Sequence, residues 1–310
     1  MVQLQPVADA TVDSSQPGAN FGADPELDFG KVYSSGPPSM NWFLRGHVQF
    51  DLTPVVGLGV PQRVRLFWYQ SHSSAAGCLA VNLHRITAPW AENTVTWNNK
   101  PSHDPSVAAS ACVGDSFSLG WKQFDVTALA QGWLAGTFAN LGMVIRDPSE
   151  TTAGASRPGY GHSRESTAVM LRPYLELDYG STFGSGCGAG SVPVQLFGGG
   201  APHLGSSFVL QTYNLPFGSL PGVIAGGSNT QWGAVPLPAP LDPAGFVGCS
   251  LLVSAEVLAT FSLLTQPTLD VTIAVPNDTG LVGLQVFTQT LAFGPTGSFF
   301  MSNGVGVTVY

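Results

Sequence analysis

Charge is scarce in this sequence: Asp, Glu, Lys and Arg make up 10% of its 310 residues, against about a quarter in an average soluble domain. Positive charge is the scarcer sign, and it stops partway along. All 11 Lys and Arg fall within residues 1–179; residues 180–310 contain none, and only four acids, Asp242, Glu256, Asp270 and Asp278. A segment without cations cannot track a phosphate backbone, so nucleic acid is excluded as a main partner. No apolar run approaches the ~20 residues of a membrane-spanning helix, so no membrane span is expected. No cysteine pair has two-residue zinc-site spacing and no EF-hand pattern occurs. The chain also has no basic-then-apolar leader, and it reads as a mature secreted form whose export signal is missing.

What is present points to β structure. Gly 38 and Pro 24 are high, and hydrophobic residues reach 44%; that is enough apolar surface to bury a core, interrupted too often for long helices. Alternating runs at 7–12, 47–52, 63–69, 79–86, 140–146 and 168–179 predict strands. At their centre lies a segment bracketed by Pro89 and Pro101 and carrying Trp90 and Trp97. Its β-branched residues 94–97 predict a further short strand. One helix is expected, with Thr127 as N-cap, residues 128–135 helical and Gly136 as stop. The Gly/Ser-rich stretch 180–186 reads as a linker. Seven more short runs follow, at 192–197, 207–214, 231–237, 249–254, 269–275, 281–292 and 299–310. The fold class is therefore all-β: a jelly-roll-like β-sandwich over residues 1–179, then a second, immunoglobulin-like β-sandwich over 187–310. Cysteines fall two per domain, Cys78 and Cys112, then Cys187 and Cys249. Even numbers suit one disulfide each and an oxidising compartment, so the expected location is extracellular or at the cell surface.

Several pieces occur together and in order: Ala8-Asp9-Ala10-Thr11-Val12, Val48-Gln49-Phe50-Asp51-Leu52, Trp90 through Trp97-Asn98 to Pro101, Phe124-Asp125-Val126-Thr127, Ser163-Arg164-Glu165, and Arg172-Pro173-Tyr174-Leu175-Glu176-Leu177. Through them residues 6–179 resemble the DNRLRE, or disaggregatase-related, family, which overlaps the family 96 carbohydrate-binding modules. The resemblance implies a jelly-roll module of large secreted proteins, commonly found beside polysaccharide-acting enzymes. For some members it implies binding to acidic polysaccharide such as alginate. The Cys78/Cys112 pair and the turn before it depart from that pattern. Residues 187–310 look like a C-terminal β-domain of secreted bacterial proteins.

The expected function is non-catalytic recognition of an extracellular, acidic polysaccharide. Sugar rings pack a C–H face on aromatic planes, while Arg forks take carboxylates in pairs. The loop carrying Arg157, Tyr160, His162 and Arg164 supplies both, and Trp42 and Tyr33 offer a second platform; Trp97 and Trp133 read as core. No cofactor is required on this reading, although a structural calcium on Asp9, Asp13, Asp28 or Asp125 is one expectation. The same residue types serve an alternative enzyme reading, a lyase using Tyr160 and His162 beside Arg157 or Arg164. A glycosidase reading would draw on Glu92, Glu150, Glu165 or Asp147. A structural reading rests on the cation-free second half, whose sheets lack the Lys that usually blunts open edges. It makes residues 187–310 a surface for self-association, cell-surface attachment, or assembly into a fibre or surface layer.

Overall fold

The computed structural model describes residues 2–36, 40–73, 79–113, 119–150, 156–188 and 192–310. Contacts divide the chain into two compact units. One comprises residues 3–56 and 63–176, and the other residues 177–310 with the short segments 1–2 and 57–62. Both are β throughout, as the alternating runs predict.

The first eleven strands are β1 (Val2–Leu4), β2 (Pro6–Asp13), β3 (Phe29–Ser34), β4 (Met40–Phe50), β5 (Arg63–Ser73), β6 (Leu79–Arg85), β7 (Ala109–Val113), β8 (Gly120–Asp125), β9 (Met143–Arg146), β10 (Arg157–Gly161) and β11 (Tyr174–Asp178). Their ladder runs β1-β11-β5-β10-β3-β4-β9-β6-β7, with β2 joined to β4 and β8 to β5. The branch points follow from length. β4 and β5 have 11 residues each, enough for two partners. β4 meets β3 through residues 40–44 and β2 through 44–50; β5 meets β8 through 65–70 and β10 through 70–73. Strands β3 and β10 thus link the two branch points, β4 and β5. Along β5, Val64, Leu66 and Trp68 are fully buried, which is the face their alternation assigns to the core.

Three expectations are corrected here. The segment 157–161, expected as a loop, is strand β10. Its glycines serve ring packing instead of a turn: a Cβ on Gly161 would lie 2.2 Å from Trp68 Cζ2 and 2.4 Å from the Tyr69 carbonyl oxygen. Residues 94–97, expected as a strand, form turns. Thr94 and Val95 N–H both donate to the Ala91 carbonyl, and Asn99 Oδ1 accepts from Thr96 N–H and Oγ1 while its amide donates to the Thr94 carbonyl. These local side-chain bonds offer the backbone an alternative to a ladder. Thr127 is not the N-cap of helix α1 (Thr127–Leu134) but its first residue. Its hydroxyl donates to Asp125 Oδ1 and accepts from Val64 N–H, tying the helix start to β5.

The remaining strands are β12 (Ser181–Phe183), β13 (Gln195–Gly199), β14 (Ser207–Tyr213), β15 (Leu220–Gly226), β16 (Gln231–Trp232), β17 (Val235–Pro236), β18 (Ala239–Pro240), β19 (Ser250–Leu251), β20 (Val257–Thr260), β21 (Leu269–Ala274), β22 (Gln285–Phe293) and β23 (Phe299–Thr308). They form a sheet ordered β12-β23-β22-β15-β20, a sheet ordered β13-β14-β21, and two small ribbons, β16-β17 and β18-β19. The stretch expected as a linker contains β12, which pairs with β23 at Ser181↔Gly306. Strand β15 escapes the alternation test because Pro221, Gly222 and Gly226 interrupt its pattern. Leu196, Phe208, Leu210, Val223 and Val305 share one core cluster. A second cluster includes Cys249, Leu252, Val253 and Met301. No helix among the described residues is long and apolar enough to cross a membrane.

Cys187 and Cys249 are disulfide-bonded across 62 residues, with Cα atoms 5.1 Å apart. Cys112 is also disulfide-bonded; Cys78 lies outside the described residues. Closing a loop of that length removes unfolded-state entropy equivalent to roughly 4 kcal/mol in the chain-entropy account. The double variant Cys187→Ala/Cys249→Ala should therefore lose about 2–4 kcal/mol. Calorimetry should show only the second unit's transition moving down; an unchanged transition would contradict this.

Candidate functional site

Residues 86–108, between β6 and β7, contain no strand beyond the single bridge Ile86↔His103. Asn20 Nδ2 donates to its Glu92 and Val95 carbonyls and Trp90 Nε1 to the Leu141 carbonyl, and a charged lock of three motif residues ties it to β2 and to the turn after β10. Glu92 Oε1 accepts the Asp9 N–H at 2.8 Å. Arg164 Nη1 donates to both Glu92 oxygens, at 3.0 and 2.9 Å, and to the Val7 carbonyl at 2.8 Å. The Arg164 N–H in turn donates to Asp9 Oδ2 at 2.9 Å. A small apolar cluster of Ala10, Val12 and Val95, flanked by Trp90 and Trp97, sits beside the lock. Burial pushes the Asp9 carboxyl up to about 8; the Arg164 N–H opposes the rise and the neighbouring Glu165 and Glu92 add to it.

Oxygens of Asp9, Glu92 and Glu165 lie within 4.8 Å of one another. Arg164 occupies both oxygens of Glu92 and approaches Glu165 at 3.5 Å, so the protein supplies this cluster's positive charge itself. The other acids proposed for calcium are elsewhere. Asp13 accepts from Ser15 N–H and Oγ, and Asp125 accepts from Thr127; both are turn-capping carboxylates. Asp28 is buried and pushed up to about 8, first by desolvation and then by Glu26.

The residues expected to contact sugar do not converge. Tyr160 is opposite His72, with ring centroids 5.5 Å apart. Its hydroxyl is raised above the usual tyrosine range by burial and then by Asp28, Glu26 and Asp13. Arg157 is paired with Lys31, and strand alternation places it on the face of β10 opposite to Tyr160. His162 directs Nδ1 to Ser166 Oγ at 2.8 Å and its ring toward Tyr69. Arg164 belongs to the lock. Trp42 is paired with Val32 and Tyr33 with Asn41, so those two aromatics point to opposite faces of β3 and β4.

A different cluster forms where Trp97 meets the sheet. Trp97, expected in the core, is only half-buried, whereas Trp133 is 7% exposed and Trp68 fully buried. Lys100 Nζ stands 4.0 Å from the Trp97 ring centroid and donates to the Trp97 carbonyl. Arg45 Cζ is 5.0 Å from the same ring, and Phe43 stacks on it at 6.4 Å. Strand β4 brings Arg45 and strand β9 brings Arg146 to a shared carboxylate, Glu150. It accepts from Arg45 at 3.0 and 2.6 Å and pairs with Arg146 at 2.8 Å. Arg146 also donates to His103 Nε2 at 3.3 Å. Burial, then Arg45, His84 and Arg146, hold the His103 imidazole down to about 4. Burial and Arg45 likewise lower the Lys100 ammonium. The one local signal for this cluster is the Trp97-x-x-Lys100 spacing; Arg45 and Arg146 reach it only through the pairing of β4 with β9.

The model of carbohydrate-binding module family 96 matches residues 1–179. No curated protein matches the chain. Among solved structures, a β-glucuronidase of Parabacteroides merdae with glycerol in its active site is similar at 10% identity and a TM-score of 0.20. That alignment covers 94% of this chain and 28% of the other, and at such a score it bears on neither fold nor activity.

Two outcomes follow from the lock and the buried acids. Hydrogen bonds to charged groups contribute roughly 1.5–3 kcal/mol each, so Arg164→Ala should lower the first unit's stability by about 2 kcal/mol or more in urea unfolding. Arg164→Lys should restore only part, since a single ammonium cannot also keep the Nε approach to Glu165; full restoration would contradict the lock. A carboxyl near 8 in the folded state and 3.8 unfolded is ionised in the unfolded chain and takes up a proton on folding across that window. Stability then falls as pH rises from about 4 to about 8. Asp28→Asn should reduce the slope of midpoint against pH between about 7.5 and 8, where His47 and His103, held down to about 3 and about 4 by burial, are largely neutral in both states and Asp9, also near 8, supplies the remaining slope. An unaltered slope would rule out Asp28 as its source.

Proposed function

The chain belongs to carbohydrate-binding module family 96 through residues 1–179, and from that premise we propose that it is a secreted, non-catalytic binder of an extracellular acidic polysaccharide. The observation that carries this reading is a half-buried tryptophan flanked by cations, Lys100 at 4.0 Å and Arg45 at 5.0 Å from the Trp97 ring, in a chain of net charge −8. The ring holds the ammonium and guanidinium groups in place, and those groups complement carboxylates or sulfates. The disulfides suit an oxidising compartment. The scattered placement of Tyr160, His162 and Arg157 favours binding over a lyase, because general acid–base work needs its groups within reach of one substrate.

A second reading makes the 177–310 unit a surface for assembly or attachment, and one specific feature favours it. Strand β20 ends its sheet, every one of its four residues is exposed, and none is charged. Open edges of that kind pair readily with other chains.

The test incubates the full chain with uronate-rich, sulfated and neutral polysaccharides, reading gel retardation alongside released reducing ends and unsaturated products. Retardation by the acidic polymers without products is expected. Products would replace the binding reading with a lyase or glycosidase. Silence in both assays, with association in sedimentation as concentration rises, would give the function to the second unit.

A further inference from the structure

We propose that Lys100, Arg45 and Trp97, supported by Arg146 and His103, form a subsite for one anionic group of a sugar chain, a carboxylate or a sulfate. This rests on the polysaccharide-binding reading and assigns it to a place on the first unit.

Electrostatic bookkeeping singles out this location. The register Gly46↔Ile145 and His47↔Val144, continued by one residue, sets Arg45 opposite Arg146, and like charges directly opposite on neighbouring strands repel. Glu150 bridges the two arginines, and Asp147 acts on Arg146. Lys100 is the third cation; among the described residues its one hydrogen bond is to the Trp97 carbonyl, although an ammonium has three donors. Asp104, which also acts on His103, is paired with Arg85; with that pair set aside, the cluster carries three cations against two carboxylates, in a chain whose acids otherwise predominate. Arg45 and Arg146 both disfavour a proton on His103, and Arg45 does the same to Lys100. An arriving anion relieves all of these repulsions at once.

The alternative face is electrostatically wrong for such a ligand. Asp28, Glu26 and Asp13 all act on Tyr160; Asp28 is largely protonated at neutral pH, so an acidic sugar approaching that ring meets Glu26 and Asp13 and, among the described residues, no cation acting on that ring. At Trp97 it meets an ammonium 4.0 Å from a partly exposed ring. Arg45 is held by two hydrogen bonds to Glu150 and is therefore oriented before the ligand arrives, while Lys100, seated on the Trp97 ring, supplies further donors.

The experiment measures affinity of the full chain for polygalacturonate, dextran sulfate and unmodified dextran, in the wild type and in Lys100→Gln and Lys122→Gln. The second variant removes the same charge from β8, away from the cluster. Lys100→Gln should weaken binding to an anionic polymer about tenfold or more, the scale of one charge-assisted hydrogen bond, with Lys122→Gln within about twofold. Loss confined to polygalacturonate identifies the anion as carboxylate, and loss confined to dextran sulfate identifies it as sulfate. A parallel readout is the His103 ring titration by NMR, which should move up from its depressed value when the polymer is added. Equal losses in both variants, or a His103 titration that does not move, would overturn the subsite while leaving polysaccharide binding standing. Wild-type chain that binds only unmodified dextran, or nothing, would overturn the subsite and the acidic-polysaccharide reading together.

Discussion

In the first unit one carboxylate, Glu92, gathers three distant parts of the chain. Glu92 lies in a 23-residue strandless segment, 86–108, which on its own has no ladder to hold it against the sheet. By accepting the Asp9 N–H and both contacts from Arg164, it joins three distant parts of the chain: the first long strand, this segment, and the turn after β10. Residues 83 and 155 positions from Asp9 meet at that point. Closing such long loops is unfavourable entropically, and several charge-assisted bonds meeting at one partly buried point contribute to offsetting it. The cost remains visible in Asp9, whose carboxyl is pushed up to about 8 by burial beside two other acids.

With the segment fixed, Val95 packs against Ala10 and Val12, and Trp97 comes to rest over the outer residues of β4. Its neighbours there are the cations of the sheet. Arg45 and Arg146 cannot sit opposite each other without Glu150, and Lys100 is drawn onto the indole face by the ring quadrupole. Stability and recognition are thus connected through one loop: the lock that places Trp97 also gathers positive charge around it. The distribution of charge along the chain fits this division of labour, since every cation is in residues 1–179.

The fold class was legible because alternation is a local signal, and β5 shows it cleanly, with Val64, Leu66 and Trp68 on one face and Arg65 and Phe67 on the other. Strand β10 was not, because Gly159 and Gly161 look like turn formers and their role, clearance for Trp68, exists only in three dimensions. Residues 94–97 misled in the opposite sense: β-branched composition suggested a strand, while Asn99, three to five residues on, turned the backbone back on itself. The motif residues Asp9, Glu92, Arg164 and Glu165 were visible as a set in the family resemblance, and the structure brings them together. The cations around Trp97 were not visible, because Arg45 and Lys100 are 55 positions apart and only strand pairing and the lock unite them.

The most direct measurement on this account is native-state amide exchange of the chain and of its Glu92→Ala variant. The Val95 N–H, bonded to the Ala91 carbonyl, and the Asn98 N–H, bonded to the Pro17 carbonyl, report on the segment; amides of β5 report on the core. If Glu92 is what holds the segment, Val95 and Asn98 lose protection together in the variant while β5 keeps its own. Unchanged protection at Val95 and Asn98 would contradict the account, and would mean that apolar packing alone positions Trp97.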